Sequence, residues 1–282
     1  LVMPPTSYVF IAEHSGQPVF DYDQELPLLD LEEYERSLEA RKITDAEVQR
    51  TAELVRAVRR STDRAVFLTD YCGAGIAIGG FHGIGIFPVV CKIEPEYVKR
   101  LHALTVGAAI HNVRRLLPEI RGCVDIIMTT ADDWGTQNSL IASEQTYREL
   151  FLPYYRSLND EIHALLPDVK IFMHNCGAIY PLLDAIVESG FDIVNPIQWS
   201  AGGKSYREWK DKLRKRATLW GGGVNAQHTL PHCGVPEIEA EVREIVRYCR
   251  KDGGYVFNSI HNLLAEVPPE KVIAIYRAAA GA

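Results

Sequence analysis

The feature that most limits the fold of this chain is an alternation of two hydrophobic periods. Short apolar runs rich in β-branched and aromatic residues recur at 65–68, 124–128, 169–173, 191–194, 217–220 and 254–257. Each is too short for a helix and reads as a strand. Between and around them lie amphipathic stretches at 31–40, 45–60, 94–117, 143–166, 179–189, 206–214, 235–250 and 269–280. Strands that alternate with helices predict a parallel sheet with helical crossovers. Two architectures satisfy that rhythm, a (β/α) barrel and an open doubly wound sheet. No composition break divides the pattern, so one domain is expected over 1–282. Residues 1–30 form a lead-in hairpin in this reading, because prolines, Gly16 and the stretch Tyr8-Val9-Phe10-Ile11 suit strands and turns. Residues 31–282 supply the strands and helices.

Composition removes several classes of function. With 47% hydrophobic and 24% charged residues, the chain has too much apolar content to remain disordered. No run of about 18 apolar residues is free of charges or turn formers, so no membrane span is expected. A net charge of -7 argues against nucleic acid, and the basic cluster from Lys204 to Arg216 is interrupted by Glu208 and Asp211. The six cysteines include no C-x-x-C pair and no secretory leader precedes them, which points to a reducing cytoplasm.

In either architecture the chemistry gathers where strands end. The residues after the six runs are unusually polar there: Thr69-Asp70-Tyr71-Cys72, Asp132-Asp133-Trp134-Gly135-Thr136-Gln137, His174-Asn175-Cys176, Asn195-Pro196-Ile197-Gln198, Gly221-Gly222-Gly223-Val224-Asn225 and Asn258-Ser259-Ile260-His261. In extended chain, residues i and i+2 share a side, so His174 and Cys176 can reach one ion. Zinc accepts that nitrogen–sulfur pair and needs a third or fourth ligand, for which His261 is the best candidate. The alternative is a hydrogen-bonded histidine beside a buried thiol. Asp132 and Asp133, adjacent on a strand, must face opposite ways, so at most one enters a pocket; a helix-capping role is the alternative for either. Gln137 suits a substrate hydrogen bond, and Tyr71 or Cys72 suits a pocket wall. The triple glycine admits either close backbone approach by a ligand or a phosphate.

Taken together and in order, the stretches 132–137, 174–180, 192–198, 220–228 and 261–262, with Val267-Pro268-Pro269-Glu270, are similar to the uroporphyrinogen decarboxylase superfamily. The resemblance runs from about Tyr8 to the C-terminus. It implies a (β/α)₈ TIM barrel whose first two strands would precede Leu1. It also implies one of two chemistries. In the metal-free branch, decarboxylases act on a porphyrinogen carboxylate. In the zinc-dependent branch, methyltransferases work with corrinoid proteins. His174-Asn175-Cys176 resembles the zinc pair of the second branch, which takes a cysteine from the last strand end where this chain has His261. Decarboxylases also carry a histidine at that place, for substrate.

The resemblance therefore implies a methyltransferase that moves a methyl group between a small methylated donor and a corrinoid protein or thiol. Its metal ligands are His174, Cys176 and His261. Its catalytic residues are Asp132, Asp133 and Gln137, and its substrate contacts Tyr71, Cys72, Asn195, Gln198 and Asn225. Zinc and a corrinoid carried on a partner protein are the expected cofactors; a second copy of the chain is an allowed partner. The competing expectations are a decarboxylase-like lyase, which needs a basic pocket, and a non-catalytic subunit that binds a one-carbon carrier.

Overall fold

The computed structural model describes residues 26, 28–76 and 86–282. The hairpin expected over 1–30 lies outside these apart from residues 26 and 28–30. Among the described residues, six strands form one parallel sheet: β1 (Phe67–Leu68), β2 (Ile126–Thr130), β3 (Lys170–His174), β4 (Ile193–Asn195), β5 (Thr218–Trp220) and β6 (Tyr255–Val256). They lie side by side in chain order. A doubly wound sheet must reverse its strand order at a switch point. This one does not, so the barrel is the architecture of the two that the sequence admits.

The strands alternate faces with period two. Ile127, Ile171, Met173, Val194 and Leu219 join the main core against the helices. Ile126, Phe172 and Ile193 face the other way and pack with Met128 and Trp220 in a separate inner cluster. The inner cluster shows that the sheet curls. Flat strands about 4.8 Å apart would hold β1 and β5 about 19 Å from each other. Instead the rings of Phe67 on β1 and Trp220 on β5 have centroids 6.3 Å apart, with Phe172 of β3 touching both at 5.0 and 5.4 Å. Inward side chains from alternate strands meeting in a layer are the packing of a (β/α) barrel interior.

The helices are α1 (Leu31–Glu39), α2 (Asp45–Ser61), α3 (Phe87–Ile93), α4 (Pro95–Leu116), α5 (Glu144–Leu150), α6 (Leu152–Leu165), α7 (Leu183–Glu188), α8 (Tyr206–Leu213), α9 (Thr229–His232), α10 (Val235–Cys249) and α11 (Pro269–Ala280). Thr44 caps α2 and Ser205 caps α8, each in a reciprocal capping box with a glutamate three residues on. The single helix expected over 143–166 is two. Pro153 has no N–H to donate and cannot sit inside a continuous helix, so the chain breaks at Phe151 (φ -125°) and restarts. The short α3 and α9 have no clear period and were not expected. All six cysteines are free thiols. No helix of the described residues is long and apolar enough to cross a membrane.

Candidate metal centre at the barrel mouth

Parallel strands put all six C-terminal ends on one rim. His174 closes β3 two residues beyond Phe172, so it shares that residue's inward face. Cys176 follows by two more residues, and its Sγ lies 3.3 Å from His174 Nε2. His261, beyond β6, adds a third donor. One ligand atom from each of the three lies within 4.8 Å of the others. Zinc bonds of about 2.3 Å to sulfur and 2.0 Å to nitrogen, in tetrahedral geometry, hold the two donor atoms about 3.5 Å apart. The His174–Cys176 pair therefore fits one ion as it stands, and all three residues are partly buried.

The surroundings disfavour the charged forms of Cys176 and His261. Burial, and after it the Asp133 carboxylate, push the Cys176 thiol well above the usual thiol range. Such a thiol loses its proton at neutral pH only when a cation takes its place. Burial, and then the neighbouring His174, hold the His261 imidazole below its usual value. His174 Nδ1 bonds Asn195 Oδ1 at 2.8 Å, and Asn195 Nδ2 donates to the Trp220 carbonyl at 3.3 Å. His261 Nδ1 accepts the Asn262 main-chain N–H at 2.8 Å.

The loop that carries Cys176 is stitched on every side. Its N–H donates to Asp133 Oδ1 at 2.8 Å, and its carbonyl accepts from the Gly135 N–H at 3.1 Å. Gly177 N–H donates to Gln198 Oε1, and Ala178 N–H to the Thr136 carbonyl. The two loops cross so closely that a Cβ on Gly177 (φ +87°) would stand 2.3 Å from the Gly135 carbonyl carbon. A side chain at either position has no room.

Asp132 and Asp133 do face opposite ways, and a β-bulge decides which faces where. The β2–β3 register slips between Met128 and Thr130, which shifts the alternation by one residue. Asp133 then turns to the mouth, with Oδ1 3.9 Å from His174 Nε2. Asp132, only 3% exposed, turns to the helix layer. There its carboxylate accepts from Tyr155 OH at 2.5 Å, Thr130 Oγ1 at 3.1 Å and Ile76 N–H at 3.2 Å.

The remaining sequence candidates separate into those near the His174–Cys176 pair and those away from it. Asn195 touches His174, and Gln198 touches Gly177. Gln137 lies at the outer rim, where its amide pairs reciprocally with Gln227 (2.7 and 3.2 Å) and donates to the Ser200 carbonyl. Asn225 caps the turn after β5, accepting from the Gln227 and His228 N–H groups. Tyr71 lines a different cavity, with Tyr34, Arg41 and Asn112. Cys72 is fully buried, and its thiol is pushed up to about 12 by burial, with Asp70 adding to the shift. The triple glycine is closely packed against protein: a Cβ on Gly223 would lie 2.2 Å from the Phe257 ring.

Beside His174 and His261 opens a cavity of about 440 Å³. Asn195, Asn258, Ser259 and Asn262 give it neutral polar groups, and Ile260 and Leu263 give it apolar wall. Among the described residues lining it there is no lysine or arginine. Asn258 and Ser259 had no individual signal in the sequence beyond their place after β6, and Asn262 had only its place in the 261–262 stretch of the resemblance.

Comparison with known proteins agrees with this geometry at the level of fold. Among solved structures, a methyltransferase from Methanosarcina mazei superposes with a TM-score of 0.60 at 17% identity, covering 86% of this chain and 68% of that one. Among curated proteins, the uroporphyrinogen decarboxylase of Syntrophotalea carbinolica is 24% identical over 230 residues, 77% of this chain. That of Chlorobium luteolum is 29% identical over 147 residues, 49% of this chain. The chain spans 60% of the first relative's length and 37% of the second's. The family model described as uroporphyrinogen decarboxylase (URO-D) matches residues 7–281. A match over nearly the whole chain, on a curled parallel sheet of the matching kind, places it in the uroporphyrinogen decarboxylase (URO-D) family.

Proposed function

We propose that this chain is a zinc-dependent methyltransferase, moving a methyl group between a small methylated donor and a corrinoid protein or thiol. The observation that carries the reading is the 3.3 Å approach of Cys176 Sγ to His174 Nε2, with a His261 nitrogen in reach of both. Bound there, zinc would supply Lewis acidity, which holds a thiol as its thiolate or polarises an ether oxygen. His174 and Cys176 hold the ion and His261 completes the set. Joining through Nε2 requires His261 to release the Asn262 N–H, a loss of about 1 kcal/mol that is small beside a metal–nitrogen bond. Asp133 fixes the Cys176 loop through its N–H. Asn258, Ser259 and Asn262 orient a small uncharged donor in the cavity. The partner corrinoid protein docks over the same rim, in a reducing compartment such as the cytoplasm.

A second reading, a decarboxylase-like lyase, is favoured by one geometric detail and by the decarboxylase names of the curated relatives. With Nδ1 occupied by the Asn262 N–H, His261 presents Nε2–H as a donor, which suits a substrate carboxylate. The cavity's neutral lining weighs the other way, because a polycarboxylate calls for cationic groups.

The test is metal content together with turnover. Wild-type protein purified without chelator is expected to hold about one zinc per chain, lost in His174→Ala and Cys176→Ala, and to convert cob(I)alamin to methylcobalamin with a methylated donor. Protein that takes up no zinc, and that forms porphyrin from uroporphyrinogen, would replace the first reading with the second.

A further inference from the structure

We infer that Asn195 is a positioning residue that sets the tautomer of His174 and so makes its Nε2 a ready metal ligand. The inference rests on reading His174 and Cys176 as an ion-binding pair. A main-chain carbonyl can only accept, so the Asn195 atom 3.3 Å from the Trp220 carbonyl must be the NH₂ group. That fixes the amide's orientation, and the atom 2.8 Å from His174 Nδ1 is then the amide oxygen. An oxygen without a proton forces Nδ1 to carry one. In a neutral imidazole the lone pair is then on Nε2, the atom that faces Cys176 Sγ.

Asn195 is itself held in place. It is the register partner of His174 in the β3–β4 pair, and its carbonyl accepts the Asn175 N–H at 2.6 Å. The chain thus runs from the β5 carbonyl through the β4 amide to the β3 imidazole, entirely on strand ends. His261 shows the contrast. Its Nδ1 accepts a main-chain N–H, so its proton sits on Nε2. The two histidines rest in opposite tautomers. His174 is set for metal before the ion arrives, whereas His261 would have to exchange its tautomer to join through Nε2.

Outer partners of metal-bound histidines typically contribute about 10- to 100-fold in affinity. Asn195→Ala is therefore expected to weaken zinc binding by about that factor in an indicator competition. Asn195→Asp keeps an acceptor for Nδ1 and is expected to bind more tightly than Asn195→Ala. A second measurement needs no variant at residue 195. In metal-free wild-type protein labelled with ¹⁵N-histidine, the His174 ring, assigned by its loss in His174→Gln, should show the Nδ1–H tautomer. Finding Nε2–H on His174, or wild-type zinc affinity in Asn195→Ala, overturns the inference. Wild-type protein that binds no zinc while His174 is Nδ1–H instead sinks the ion-binding reading and leaves the tautomer assignment standing.

Discussion

Two neighbouring aspartates have different work in this molecule, and neither composition nor spacing tells them apart. Asp132 is 3% exposed and accepts three hydrogen bonds in the helix layer, including one from Tyr155 OH. Removing it leaves those donors buried, each at about 1–3 kcal/mol. Asp133 is exposed and fastens the Cys176 N–H. We expect Asp132→Ala to lower unfolding free energy by about 3 kcal/mol or more while a folded fraction still takes up zinc. Asp133→Ala should change stability by less than about 1 kcal/mol and weaken zinc uptake. Urea unfolding and zinc titration of both variants check this, and the reverse ranking would show that Asp133, not Asp132, carries the buried hydrogen bonds. The period-two rule predicted opposite faces for the pair. The one-residue slip that chose between them is a property of how β2 pairs with β3, which no local pattern records. The H-x-C pair was legible because it needs only an extended backbone. The role of Asn195 was not, since it depends on which carbonyl of β5 lies opposite its amide.

At the scale of elements, the six strands were readable from their apolar runs because each is flanked by turn formers and helical periods. The break at Pro153 also had its signal in the sequence, in the missing N–H. What holds the far end of the strands in register is less visible. Asp192, just before β4, accepts from the Ile171 N–H of β3 at 2.8 Å and from His163 Nε2 of α6 at 2.9 Å. Its main chain pairs with Ile171 on one side and Thr218 on the other. Burial alone would raise its pKa, but the bonds from His163 and the Ile171 N–H outweigh burial and hold it below the ordinary value. A depressed carboxyl pKa stabilises the fold fully above the unfolded-state value, near 3.9, and that stability is lost as pH falls through the lower folded value. Asp192→Asn should therefore cost about 1–3 kcal/mol at pH 7, and the gap to wild type should close in the acid range below the unfolded value. Chemical unfolding followed from pH 7 to pH 2 tests this. A gap that stays constant over the range would assign the loss to packing instead of to the carboxylate.

At the scale of the whole molecule, the site exists because the sheet curls. In a flat sheet β3 and β6 would stand about 14 Å apart, yet His174 and His261, past their ends, meet with ring centroids 6.3 Å apart. The curl is supported from below by the inner layer, where Phe172 fills the space two residues beneath His174 and touches Phe67 and Trp220. The layer is not evenly covered. Phe172 is 5% exposed, whereas Phe67 is 38% exposed on β1, which among the described residues has a strand neighbour on one side only. The two phenylalanines therefore separate filling from closure. Phe172→Ala should cost about 3–5 kcal/mol through the void it leaves and also weaken zinc binding, because His174 loses the floor of its strand end. Phe67→Ala removes a ring already partly in water, so it should cost markedly less and leave zinc affinity unchanged. Urea unfolding with zinc titration distinguishes the two, and equal losses in both variants would mean that β1 is covered as fully as β3 in the protein in solution.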